Sequence, residues 1–199
     1  MLPNLTRFAE SNVRFSQHFS SGGTDDTGLF GLFYGISPSY MDGVLSSRIA
    51  STLIGTLGQQ GYQFGLFASD GFNSPLYRQA LLSDFSLPEA REQSNDQTTT
   101  QWQNWLNGHR NDSNPWFSYL SLTTADNSGG DSSDKHRPRR YIRAAANVYQ
   151  QTQSVLATLD SKGLVDKTVV AITAQHRVVP DGDDNSGNFA ASHVPMILH

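Results

Sequence analysis

With 199 residues, no cysteine and a net charge of −4, the chain has room for one domain with a real core. The missing cysteines exclude disulfides and thiolate sites, and the acidic balance argues against a general nucleic-acid binder, which needs excess positive charge. Apolar residues at 37% and charged residues at 16% are both low, but eleven Phe, seven Tyr and three Trp can fill an interior, so this is not the composition of a disordered chain.

No apolar run approaches the ~20 residues that cross a bilayer. The start Met1-Leu2-Pro3-Asn4 has no basic region followed by an apolar stretch, so it does not read as a signal peptide. Residues 193–199 read as a strand entering a core, and the expectation is an internal piece of a larger protein.

The pattern predicts a short helix over residues 3–10, with Pro3 in its first turn. A strand over residues 12–19 follows from the near alternation of Val13, Phe15 and Phe19. Next comes the turn Ser20-Ser21-Gly22-Gly23-Thr24-Asp25-Asp26-Thr27-Gly28, then an apolar helical segment over residues 29–34. Ile49, Leu53, Ile54 and Leu57 give residues 48–60 helical spacing, closed by Gly61.

Residues 62–68 predict a strand ending at Ser69-Asp70-Gly71, and residues 97–109 a helix with Trp102, Trp105 and Leu106 on one face. A strand over residues 116–123 leads to a Ser/Gly/Asp loop over 126–134 and the longest helix, over 139–159. The β-branched run at 167–173 suits a parallel strand covered on both faces, followed by a polar loop over 180–188. Strands alternating with helices predict an α/β fold: a mostly parallel sheet with helices on both faces. In such sheets ligands bind at the carboxyl ends of strands. Four positions therefore matter: the 20–28 turn, Ser69-Asp70-Gly71, Thr123-Thr124, and Ala174-Gln175-His176-Arg177.

The 20–28 turn is the best candidate site. Its glycines let backbone approach a ligand, Ser21, Thr24 and Thr27 offer hydroxyls, and a helix starting near Thr27 would aim free N–H groups at an anion. A Thr or Ser here is also where a phosphoryl- or sulfuryl-transfer nucleophile can sit. The plainer alternative is an N-cap made by Asp26 or Thr27. The 29–34 segment reads either as a buried helix or as a surface for lipid or a membrane-embedded partner. His176 could ligate a metal, against the commoner hydrogen-bonded histidine. Asp70 reads as turn chemistry. The basic cluster Lys135, His136, Arg137, Arg139, Arg140 and Arg143 reads as a solvated face or a contact for an anionic membrane.

Two unbroken blocks carry a family resemblance. Gly28-Leu29-Phe30-Gly31-Leu32-Phe33-Tyr34-Gly35-Ile36-Ser37-Pro38-Ser39-Tyr40-Met41-Asp42-Gly43 and Ser69-Asp70-Gly71-Phe72-Asn73-Ser74-Pro75-Leu76-Tyr77-Arg78-Gln79-Ala80-Leu81-Leu82-Ser83-Asp84-Phe85 closely resemble the matching stretches of the YejM/PbgA family. The likeness runs over nearly the whole chain. It implies an alkaline-phosphatase/sulfatase-like fold, with residues 1–199 an internal part of one periplasmic domain, truncated at both ends and anchored to the Gram-negative inner membrane by parts outside the chain.

The wider superfamily implies a Thr or Ser nucleophile beside a divalent metal (Mg, Mn or Zn) held by a first-strand acid, the nucleophile and an Asp-His pair. Thr24 falls at the nucleophile position, Thr24 and His176 at metal-ligand positions, and Gln175 where the Asp would be. A neutral amide replaces a carboxylate poorly for a hard cation, and activating a Thr hydroxyl leans on the metal's charge. The resemblance therefore implies regulation rather than efficient hydrolysis, with metal-dependent phosphatase, sulfatase or phospho-transferase chemistry at Thr24 as the alternative. It also implies binding of lipid A or cardiolipin by Gly22, Gly23, Thr24, Asp26, Thr27 and Gly28 with acyl contacts from Leu29, Phe30, Leu32 and Phe33, alongside a membrane-embedded regulatory partner. Asp25 and Asp26 stand where the family pattern has an Arg, and two carboxylates repel a phosphate unless a cation bridges them.

Overall fold

The computed structural model describes residues 8–109, 114–124, 137–176 and 192–199, with backbone alone for 137–141. The chain divides into two compact units. Unit 1 comprises Met1–Phe8, Gly61–Phe72 and Pro88–Thr168, and unit 2 comprises Ala9–Gln60, Asn73–Leu87 and Val169–His199.

In unit 1, strands β2 (Gln63–Ala68) and β3 (Trp116–Ser121) pair in parallel, from Gln63 opposite Trp116 to Ala68 opposite Ser121. A parallel pair needs a crossover. Helix α4 (Asn95–Gly108) lies on that crossover, starting at a capping box between Ser94 and Gln97 and burying Thr98, Trp102 and Leu106. It packs on β2, and the 25-residue helix α5 (Arg137–Ser161) packs on α4. A Cβ at Gly65 would meet the Trp105 ring at 2.8 Å, so only glycine lets that indole lie flat on β2.

The carboxyl ends of β2 and β3 are closed by side chains. Ser69 Oγ donates to Asn95 Oδ1 at 2.6 Å, and Asn95 Nδ2 donates to the Thr123 carbonyl and to Asn147 Oδ1, each at 2.9 Å. Asn147 and Gln151 of α5 in turn donate to the Asp96 carboxylate at 3.1 and 2.8 Å. Asp70 accepts the Phe72 N–H at 3.1 Å, with Gly71 at φ 68° and Phe72 at φ 55°, which makes it the turn residue the sequence reading expects.

In unit 2, β1 (Val13–Arg14), β5 (Met196–Leu198) and β4 (Ala171–Thr173) form a sheet in the order β1-β5-β4, antiparallel throughout. Beside it in sequence are α1 (Asp25–Tyr34), α2 (Met41–Ser47), α3 (Thr52–Gln59) and a π-helical stretch at Leu76–Leu81. Helix α1 packs on α3 and on the π-helix, and α2 on the π-helix. Leu29, Phe30, Phe33, Val44, Ile54, Leu76, Tyr77, Ala80 and Leu81 are buried here. Ser51 Oγ, also buried, donates to the Phe33 carbonyl at 2.8 Å and ties α3 to the end of α1.

The α/β class holds, with differences of detail. The strand expected over 12–19 shrinks to Val13–Arg14 plus one bridge between Phe19 and His193. The helix expected over 48–60 begins only at Thr52, because Arg48 takes a left-handed conformation (φ 51°) that ends α2. The run at 167–173 is neither parallel nor covered on both faces: Val165–Lys167 is a 3₁₀ turn, Val169 is 83% exposed, and Ala171–Thr173 runs antiparallel to β5. β-Branched composition reports strand propensity, and it carries no information on the direction of the partner. The loops over 126–134 and 180–188, with Lys135, His136 and Arg177, lie outside the described residues.

Candidate functional site

The 20–28 turn is folded around the first turn of α1. Thr24 is the N-cap, with extended φ −125° and ψ 160°, and its Oγ1 accepts the Thr27 N–H at 3.3 Å. Thr27 answers with its own hydroxyl oxygen, which accepts the Thr24 N–H at 3.1 Å and lies 2.8 Å from Thr24 Oγ1. Two orphan donors of the helix start are thereby satisfied. The cap is Thr24 and not Asp26 or Thr27 as expected: the helix begins at Asp25, and Thr27 is the third residue of its first turn and the reciprocal partner of the cap.

Glycines set how closely this turn approaches its neighbours. A Cβ at Gly28 would overlap the Gln175 carbonyl, one at Gly31 the Ser21 hydroxyl, and one at Gly22 the Thr27 side chain, whereas Gly23 faces open space. Ser20 Oγ donates to the Gln175 carbonyl and to the Gly22 carbonyl, the latter at 2.8 Å. The start of α1 is thus laid against the segment that follows β4.

His176, in that segment, meets Asp25. Its Nε2 lies 3.0 Å from Asp25 Oδ1, with His176 26% and Asp25 75% exposed. Asp26, the next residue, accepts the Ser74 hydroxyl at 2.6 Å, and Ser74 Oγ accepts the Leu76 N–H at 3.1 Å. Both carboxylates of the turn are therefore engaged. Thr24 and His176, expected together as metal ligands, stand on the turn and on the segment facing it, and His176 contacts Asp25, the neighbour of Thr24.

An open cleft of about 350 Å³ lies alongside, lined in part by Phe19, Ser20, Ser21, Gly28, Leu32 and Gln175. The lining combines three hydroxyl residues (Ser20, Ser21 and Thr173), bare helix backbone and an apolar wall. Leu32 is 43% exposed. The acyl contacts expected of Leu29, Phe30 and Phe33 do not survive: their exposures are 1%, 0% and 7%. At ~3.6 residues per turn they share one face of the helix, an arc of about 100°, and α1 packs on α3 and the π-helix, so the buried-helix alternative is the correct one.

A divalent metal finds a poor donor set here. Among the described residues no group of three or more His, Asp and Glu side chains converges. Gln175 offers an amide, Thr24 Oγ1 serves the cap, and Asp25 and His176 face each other. A hard cation takes several carboxylate oxygens, so these residues do not fit one.

The sequence reading missed Asp25 as the partner of His176 and Ser74 as the partner of Asp26. The spacing Thr24-x-x-Thr27 is a variant of the capping-box pattern, and it was the available signal for where α1 begins.

The sequence matches the family model described as sulfatase over residues 1–199. The chain belongs to the sulfatase family. It is 50% identical over its full length to the inner membrane protein YejM of Salmonella typhimurium, covering 34% of that protein. It is 32% identical over 88% of its length to an uncharacterized protein of Haemophilus influenzae, covering 28% of it. The chain thus spans about a third of the length of the curated relatives it matches. Among solved structures it resembles the lipoteichoic acid synthase LtaP of Listeria monocytogenes with a TM-score of 0.73 at 14% identity, over 100% of this chain and 59% of that one. A protein of the alkaline phosphatase superfamily from Vibrio parahaemolyticus gives 0.70 at 18% identity, over 99% and 53%. These likenesses show the fold, that of the alkaline phosphatase and sulfatase superfamily. Members of that superfamily typically use a divalent metal.

Proposed function

We propose that this chain is the sulfatase-fold domain of an inner-membrane protein, set on the periplasmic side, which binds an anionic lipid of the lipid A or cardiolipin class and regulates outer-membrane lipid homeostasis without efficient hydrolysis. The observation that carries the reading is the 50% identity, over the whole chain, to a relative named as an inner membrane protein. Among the described residues no helix is long and apolar enough to cross a membrane, so attachment falls to other parts of such a protein or to a membrane-embedded partner. Both carboxylates of the turn have protein partners, Asp25 facing His176 and Asp26 accepting from Ser74, and neither lines the cleft. The exposed contacts for such a lipid are Gly23, Thr24 and the cleft wall at Leu32, with half-buried Gly22 beside them. Leu29, Phe30 and Phe33 serve the lipid reading only by shaping the helix.

Vesicle flotation tests this. Vesicles of phosphatidylcholine with added lipid A or cardiolipin should retain the chain, and pure phosphatidylcholine should not. Gly23 faces open space, so Gly23→Arg adds a guanidinium without a clash and should tighten binding several-fold, less so as salt rises. Equal retention on neutral and anionic vesicles, with no response to Gly23→Arg, would remove the lipid reading. Turnover of a phosphate ester that needs Mn²⁺ or Mg²⁺ and is lost in Thr24→Ala would instead put the enzyme reading first.

A further inference from the structure

We infer that Asp25 and His176 form a protein-only clasp, which fastens the start of α1 to the segment after β4 and takes the place of a metal centre there. The inference rests on the non-hydrolytic half of the proposed function and gives that half a cause in this chain's own residues.

The donor chemistry carries the argument. His176 Nε2 lies 3.0 Å from a carboxylate oxygen, hydrogen-bonding distance, and the clasp has the Nε2–H donating to that oxygen. A nitrogen that donates its proton has no lone pair for a cation, so this contact and ligation through Nε2 exclude each other. Oxygens on the two residues flanking Asp25 are also engaged. Thr24 Oγ1 accepts from Thr27 N–H, and Asp26 Oδ1 accepts from Ser74. The residue before His176 is Gln175, whose carbonyl accepts from Ser20 and whose side chain brings no charge.

The clasp also has a mechanical sense. Gly28 lies so close to the Gln175 carbonyl that a single Cβ would overlap it, and Ser20 bonds the same carbonyl. Asp25–His176 is the third contact between the same two segments, and the only one of the three between side chains capable of opposite charge. Together they hold the walls of the cleft bounded by Ser20, Gly28 and Gln175. Asp25 and His176 are positioning residues in this account.

Two measurements on the 199-residue chain test it. In calorimetric titration with ZnCl₂ and MnCl₂, the clasp predicts no saturable site that depends on both residues. Zinc bound elsewhere, unchanged in Asp25→Asn and in His176→Ala, agrees with it. A stoichiometric site lost in both variants overturns it and makes the pair metal ligands. In urea unfolding with EDTA present, Asp25→Asn and His176→Gln should each lower the midpoint, and the double variant should lower it no further than the larger single effect. Additive shifts, with circular dichroism showing all variants folded, would mean that the two side chains do not hold one another. Vesicle binding is scored separately: loss of the clasp with retained lipid binding defeats this inference alone, and loss of lipid binding by the unsubstituted chain defeats only the function above.

Discussion

Replacing Phe30 by alanine separates a packing role from a lipid-contact role. Phe30 has no exposed surface, stacks on Tyr34 with ring centroids 4.6 Å apart at 14°, and lies between the buried Leu29 and Phe33. Truncation removes the whole transfer energy of the ring and leaves a cavity whose walls, on α3 and the π-helix, relax only in part. Such changes cost about 3–5 kcal/mol, and loss of the stacked Tyr34 contact places Phe30→Ala toward the upper end. Domains are stable by only about 5–15 kcal/mol, so Phe30→Ala should lose a large share of that margin and Phe30→Asp should not fold. Urea unfolding followed by far-ultraviolet circular dichroism is the assay. Trp102, Trp105 and Trp116 all belong to unit 1, so tryptophan fluorescence serves as a second probe that reports the other unit. Leu32→Ala, at 43% exposure, is the control and should change stability by about 0.5 kcal/mol or less. A Phe30→Ala loss under about 1 kcal/mol would refute the packing argument. A folded Phe30→Asp chain with weakened vesicle binding would restore the acyl-contact role.

Three further outcomes follow from the same geometry. Thr24→Ala should cost about 1 kcal/mol through the lost cap, and Thr24→Ser should restore it; a silent Thr24→Ala in thermal unfolding would contradict the cap. Asn95→Ala removes the acceptor of Ser69 Oγ and of the Thr123 N–H and the donor to Asn147 Oδ1 and should cost about 1–3 kcal/mol, with faster amide exchange at Thr123; unchanged exchange there would show the network to be idle. Burial pushes the Tyr34 phenol from 10.0 up to about 12. The folded state therefore holds that proton more tightly than the unfolded one, so this stabilisation is complete below pH 10 and is lost as pH rises through 12. Tyrosinate absorbance should show one late-titrating phenol that disappears in Tyr34→Phe, and identical titrations would contradict the burial.

Where an element's own residues state its period, the sequence was a good guide. Residues 62–68 became Gln63–Ala68, residues 116–123 became Trp116–Ser121, and residues 97–109 became Asn95–Gly108, each within two residues or so. Alternation and the Trp102-Leu106 face are local facts. Strand direction is not local: nothing in Lys167–Thr173 distinguishes a parallel partner from β5, some 25 residues downstream, and the antiparallel outcome is settled by that pairing. The break between α2 and α3 rests on a single left-handed residue, Arg48, a conformation that composition does not advertise. Burial was only half legible, because a segment apolar on every side reads alike whether its cover is protein or lipid. Leu29, Phe30 and Phe33 were resolved only by the helices packed upon them.

The candidate site turned on a shift of one residue. Thr24 and Asp25 are adjacent, and both sit where a helix begins against the end of β4. Whichever of them is the N-cap directs its side chain back to the helix's own N–H groups, and the next residue projects outward from the first turn. Thr27 decides the matter: three residues on, its hydroxyl and N–H close the box with Thr24, and the outward position passes to Asp25. A hydroxyl at the outward position would face His176 as a nucleophile faces a base or a metal ligand. A carboxylate there accepts a hydrogen bond from the imidazole N–H instead. The same backbone thus holds either a reactive pair or a clasp, and the choice lies in a contact of 3.0 Å between two side chains that the fold itself does not require.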